Sequence, residues 1–257
     1  LKLAETGLLP SLEGKSWDLA DENLVTEAQQ RYFKRGRLSF VIIQKESDSS
    51  SKYELFQRLN TGGSSLTPQE VRNCLLIMND EDYFEKLKKL SEFMPFRDTI
   101  SISDKNLDEQ YDKELVSRFL VLKDVDSSEL NSIKDLGVYL DHKIVEYFDF
   151  NINKWDETEK LFMRTFTLIR DNAGDDAFKR YDLTRGTFYG GFIVSAFEMV
   201  ALGVAKNIDH WEGNGQEVRS KIIECWKKIA DDGITWKGYS AAGRLPKTIS
   251  IGQDIFS

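Results

Sequence analysis

Arg58, Asn60, Thr61, Gly62, Gly63 and Arg72 all fall inside one short stretch, FQRLNTGGSSLTPQEVRN, residues 56–73. Glycines lacking a Cβ let backbone N–H groups turn toward a ligand, and the start of a following helix adds partial positive charge. Two guanidinium groups nearby would complete a cradle for phosphate. The same residues also describe a plain corner between two helices, in which the glycines serve only to permit positive φ. The stretch does not match the strand-GxxxxGK[ST]-helix pattern of a P-loop.

The elements that must hold these residues can be read from their neighbours. Thr67 can cap a helix through its hydroxyl, Pro68 suits the first helical position, and Glu70 stands where a capping box needs a carboxylate, so a helix is predicted to begin at Thr67. Its apolar stripe is read as Val71, Leu75 and Met78, which leaves Arg72 and Asn73 off that face. Before the loop, Leu55 and Leu59 would pack inward with Arg58 pointing elsewhere, and Asn60 would end that helix in a left-handed conformation.

A second cluster, RYFKRGR, places Arg31, Lys34, Arg35 and Arg37 with two aromatics in residues 31–37. Such a cluster can track a nucleic-acid backbone and is the candidate DNA contact outside the loop. Cations also gather at a helix C-terminus because they offset its dipole. No metal site follows from the two histidines, His142 and His210, which are far apart and lack partners at ligand spacing. The acidic pairs at 80–81, 175–176 and 231–232 sit at segment edges, where carboxylates cap helices or face solvent. No catalytic set can be assigned.

At 257 residues, with 40% hydrophobic and 30% charged residues, the chain can bury a sizeable core in one large or two ordinary domains. A net charge of −8 argues against long-range attraction of the whole molecule to nucleic acid or an anionic membrane, so any phosphate contact must be local. Cys74 and Cys225 form no C-x-x-C unit and suggest no disulfide framework, which fits a reducing, cytoplasmic setting. No secretory signal is read at the start. Residues 187–205 carry one charge, Glu198, in nineteen positions. That length only just spans a hydrocarbon core of about 30 Å, and a central carboxylate is costly there, so a buried helix is the stronger reading and no membrane partner is expected.

Helical periodicity is read at 22–34, 52–60, 68–79, 80–93, 107–123, 128–148, 155–172, 184–207 and 216–232, and a buried strand at 37–44. In the segment 155–172, Trp155, Phe162, Phe166 and Ile169 form an apolar stripe. The break at 99–106 is the best boundary between two parts. The pattern is α+β, mostly α: a remnant of a mixed α/β region over 1–100 followed by a helical domain over 101–257.

The ordered motif ELFQRLNTGGSSLTPQEVRNCL resembles the signature of the GmrSD-type restriction endonuclease N-terminal domain, whose fold is similar to ParB and sulfiredoxin. LPSLEGKSW, EAQQRYFKRGRLSFVIIQ and GRLPKTISIGQDIF resemble flanking parts of that family. The resemblance is sharp over about residues 1–80 and diffuse beyond. It implies a truncated ParB-like α/β region, a nucleoside triphosphate such as GTP with Mg2+, and DNA, including modified DNA, as partner. It also implies a nuclease domain or partner protein carrying the cutting activity, and it is compatible with homo-oligomers. Residue by residue, it assigns Arg58, Asn60, Thr61 and Gly62 to the nucleotide site, with Gly63 and Arg72 beside them. The family's Asp-Gly-Gln-Gln-Arg motif is not in this chain; EAQQR at 27–31 lacks Asp-Gly, and the resemblance places the missing part upstream of Leu1. The rival expectation is a non-enzymatic helical scaffold that binds a protein partner and uses the Thr-Gly-Gly corner only for shape.

Overall fold

The computed structural model describes residues 10–17, 22–37, 66–235 and 238–257. The expected strand at 37–44, apart from Arg37, and the expected helix at 52–60 lie outside these residues. The fold is α+β and mostly α. Contacts divide the chain into two compact units, Leu1–Ser47 and Asp48–Ser257.

In the first unit Ser16 and Leu24 form a parallel bridge that precedes helix α1, Glu27–Lys34. Thr26 starts α1 through a capping box: its hydroxyl accepts from the Gln29 N–H, and its own N–H donates to Gln29 Oε1 at 3.0 Å. The expected start at residue 22 is too early, because this cap satisfies the first free N–H groups only from Thr26 onward.

The second unit contains α2 (Pro68–Asn79), α3 (Glu81–Ser91), α4 (Met94–Thr99), α5 (Asp104–Asp108), α6 (Tyr111–Leu122), α7 (Ser127–Ser132) and α8 (Leu136–Asn151). It continues with α9 (Trp155–Ala173), strands β1 (Arg180–Asp182) and β2 (Thr187–Tyr189), then α10 (Val194–Lys206), α11 (Ile208–Gly213), α12 (Val218–Asp231) and α13 (Ala241–Ile255). Helix α2 begins where the capping box placed it, with Pro68 in the first turn.

The core is aromatic at its centre. Phe162 and Phe166, one helical turn apart on α9, have ring centroids 4.4 Å apart, and Phe96, Phe119 and Phe197 lie within 6.0 Å of one or both. The predicted stripe of Trp155, Phe162, Phe166 and Ile169 is buried. Each fully buried phenylalanine contributes roughly 1.5–3 kcal/mol, and each favourable ring pair about 0.5–1.5 kcal/mol more. Phe96 and Ile100 belong to this same core, so the expected boundary at residues 99–106 does not divide it; the chain divides at Ser47 and Asp48.

Local turn chemistry overrides helical periodicity at several points. The expected helix at 184–207 begins only at Val194, because the Asp182 carboxylate accepts from the N–H groups of Thr184 and Arg185 at 2.9 and 3.0 Å. Gly186 at φ 68° completes this turn, which pairs β1 with β2 as an antiparallel hairpin in register Tyr181 to Phe188. The expected helix at 107–123 is broken at Gln110, whose φ of 62° ends α5 and starts α6. The segment 128–148 likewise divides into α7 and α8.

Helix α13 escaped the periodicity reading because Pro246 and two glycines interrupt its pattern. Ser240 caps it through the Gly243 N–H at 3.1 Å. Gly252 lets α13 lie against α10: a Cβ there would sit 2.1 Å from the Met199 carbonyl oxygen. Gly203 on α10 plays the reciprocal part, with a Cβ position 2.7 Å from the Gly252 carbonyl oxygen. At Gly190 and Gly191, by contrast, a Cβ would meet nothing within 4 Å. Among the described residues no helix is long and apolar enough to cross a membrane.

Candidate functional site

Of the six residues proposed for the nucleotide loop, Arg58, Asn60, Thr61, Gly62 and Gly63 lie outside the described residues. The structure places the sixth, Arg72, at 1% exposure. The expectation that Arg72 and Asn73 point away from the buried face is corrected: α2 is buried at Gln69, Val71, Arg72, Asn73, Leu75 and Leu76, and Met78 is at the surface. Helix α2 packs against α3, α6 and α8, so its buried face is wider than one apolar stripe and includes polar positions.

The buried polar positions are satisfied together. Arg72 donates from Nε to Gln69 Oε1 at 2.8 Å, from Nη1 to Asp141 Oδ1 at 2.8 Å and from Nη2 to Glu114 Oε2 at 3.1 Å. Gln69 in turn donates from Nε2 to Asn73 Oδ1 at 2.8 Å. The other Glu114 oxygen, Oε1, accepts from Arg118 Nε at 3.0 Å and Nη2 at 2.7 Å. Arg118 Nη1 reaches Glu198 Oε1 at 3.0 Å, and Arg244 Nη2 reaches the same oxygen at 3.2 Å. The Thr248 hydroxyl lies 3.1 Å from Glu198 Oε2.

These groups form an alternating chain, Asp141, Arg72, Glu114, Arg118, Glu198, Arg244, in which three cations meet three anions. It ties α2, α6, α8, α10 and α13 together. Glu198 has no exposed surface, and a carboxylate so placed is tolerated only when paired and hydrogen-bonded. Burial alone would lower the pKa of Arg118, but the Glu114 and Glu198 carboxylates beside it more than offset this and raise it. The lone Glu198 in an apolar run was the sequence signal for this cluster; its partners, remote in sequence, were not legible.

The start of α2 also borders a cavity of about 530 Å3. Thr67 and Pro68 line it together with residues from 101–114, among them Asn106, Glu109 and Tyr111, and with Phe192 and Val194. The Tyr111 and Phe192 rings meet edge to face, with centroids 6.2 Å apart. The Thr67 hydroxyl donates to the Glu109 carbonyl oxygen at 3.2 Å, fixing the head of α2 to the cavity wall. Glu70 Oε2 accepts from the Thr67 N–H at 2.7 Å, which places a carboxylate at the positive end of the helix. That end is therefore poorly suited to phosphate, and Arg72 has each of its nitrogens engaged within the protein.

The other candidates occupy simpler surroundings. On α1 and just after it, Arg31, Lys34, Arg35 and Arg37 are exposed, as are Tyr32 at 85% and Phe33 at 74%. Arg31 pairs with Glu27 at 3.3 Å, one turn back. Among the acidic pairs, Asp80 caps α3 through the Asp82 N–H at 3.0 Å, whereas Asp176 accepts from Arg219 Nη2 at 2.8 Å in an ion pair. The His210 ring lies against Trp211. Burial, followed by the Glu70 charge, raises the pKa of the Cys74 thiol, and burial pushes that of Cys225 up to about 12, so neither is an activated nucleophile.

No family model, curated protein or solved structure matches the chain.

Proposed function

We propose that this chain is the nucleotide-binding and regulatory part of a modification-dependent DNA restriction or anti-phage system, with the nuclease activity residing elsewhere. The observation that carries the reading is the position of Arg72. It belongs to the Thr-Gly-Gly motif by sequence, and its side chain is keyed into α6 and α8 through Glu114 and Asp141. A change in the loop that shifts α2 must act on this buried pairing, which gives a nucleoside triphosphate held by Arg58, Asn60, Thr61, Gly62 and Gly63 a route into the helical body. Under this reading Arg72 transmits the state of the loop. The exposed cations Arg31, Lys34, Arg35 and Arg37 would contact the DNA backbone.

A second reading, a non-enzymatic scaffold for a protein partner, is favoured by the carboxylate of Glu70 at the head of α2, which leaves little there to attract phosphate. A thermal-shift titration of the full-length protein with GTP, ATP, UTP and CTP plus Mg2+, beside Arg58→Ala, separates the two. A nucleotide at a hundredfold excess over its Kd should add about 2.7 kcal/mol to the parent, and the variant should lose that gain. No shift with any nucleotide would favour the scaffold.

A further inference from the structure

Resting on the nucleotide reading, we propose that the cavity between Thr67, Asn106, Tyr111 and Phe192 receives the base of the nucleotide. Its volume of about 530 Å3 lies in the range of small-molecule sites and is ample for one planar heterocycle. Apolar surface comes from Pro68, Ile102, Phe192 and Val194, which suits the faces of a base, and stacking on an aromatic ring is open to every base.

Polar groups suited to the edges of a base stand among these surfaces. The Asn106 backbone N–H donates to Ser103 Oγ at 3.3 Å, while its side-chain amide has no hydrogen-bond partner among the described residues. The Tyr111 hydroxyl likewise has none there, and burial pushes its pKa up to about 12, so it remains a protonated donor at neutral pH. Ser101, at the exposed lip, adds a further hydroxyl.

The charges around the cavity select a neutral guest. Glu114 is neutralised by Arg72 and Arg118, Glu109 pairs with Lys105 at 3.6 Å, and Glu70 caps α2. A cation finds no uncommitted carboxylate among them, and a phosphate would meet a wall bearing carboxylates and no free cation among its lining residues. A base carries neither problem, and its phosphates would remain outside the cavity.

The test is calorimetric titration of the full-length protein with the four nucleoside triphosphates and with inorganic tripolyphosphate. Parent, Asn106→Ala and Ser101→Trp are compared, the last filling the cavity from an exposed position. The expected result is that at least one nucleotide binds the parent more tightly than tripolyphosphate, and that each variant weakens that nucleotide by about tenfold, roughly 1.4 kcal/mol. Tripolyphosphate affinity should be equal in all three proteins. Unchanged nucleotide affinity in both variants, or tripolyphosphate binding the parent as tightly as the nucleotides, overturns the base pocket and leaves the nucleotide reading standing. Failure of every nucleotide and of tripolyphosphate to bind the parent removes both.

Discussion

Arg31 and Arg72 begin from the same local design and end in opposite surroundings. Each lies five residues after a threonine that opens its helix with a capping box, Thr26 with Gln29 in α1 and Thr67 with Glu70 in α2. Arg31 keeps its side chain 62% exposed and meets Glu27 at 3.3 Å within its own helix. Arg72 is 1% exposed and spends its nitrogens on Gln69, Glu114 and Asp141. The difference teaches that the cap determines where a helix starts, whereas the surroundings determine what its charges do. In water the Arg31 pair exchanges one solvated state for another. In the interior each member of the Arg72 chain depends on the next, because an uncompensated buried charge costs several kcal/mol.

The largest test of that contrast is Glu198→Ala. Removing this carboxylate, which has no exposed surface, leaves Arg118 and Arg244 facing each other, and unfolding by urea should show a loss of about 3–5 kcal/mol. A loss under about 1 kcal/mol would mean that water enters to solvate the arginines, and the network would then be no more cooperative than a surface pair.

An intermediate case is Asp176, partly buried between Arg219 and Lys179. Desolvation pushes its pKa up, but hydrogen bonds from Arg219 and then Lys179 prevail and hold it below the usual carboxylate value. The stabilisation is therefore complete above the unfolded-state pKa of about 3.9 and is lost as pH falls through the lowered folded value. Asp176→Asn should cost less than about 1 kcal/mol at pH 7, and its difference from the parent should shrink on acidification below about pH 4. A difference that stays constant across that range would assign the effect to packing.

The smallest effect is expected for Glu27→Ala, which removes the exposed partner of Arg31. Its cost should lie under about 0.5 kcal/mol and diminish further in high salt. A loss comparable to that of Glu198→Ala would erase the distinction between the two helices.

Much of the helical framework was legible in the sequence, since the relevant forces act over one or two turns. Thr67, Pro68 and Glu70 marked the start of α2 from neighbouring residues alone, and the spacing of Phe162, Phe166 and Ile169 marked the inward face of α9. Where local chemistry competed with periodicity, as at Asp182 and Gly186, the turn prevailed because its hydrogen bonds satisfy backbone groups that an extended helix would have needed. Pro246 concealed α13 for the converse reason: tertiary packing against α10 through Gly252 outweighs an unfavourable local residue.

The candidate site divides along the same line. The sequence by itself determined the loop motif, the head of α2 and the lone carboxylate at Glu198. Only the tertiary structure decided that Arg72 is buried, that Glu114 lies between two arginines, and that Tyr111 and Phe192 share a cavity wall. Caps and apolar stripes are set by residues a few positions apart. An ion pair or a cavity is set by residues as distant as Arg72 and Asp141, and their meeting depends on how several helices pack at once.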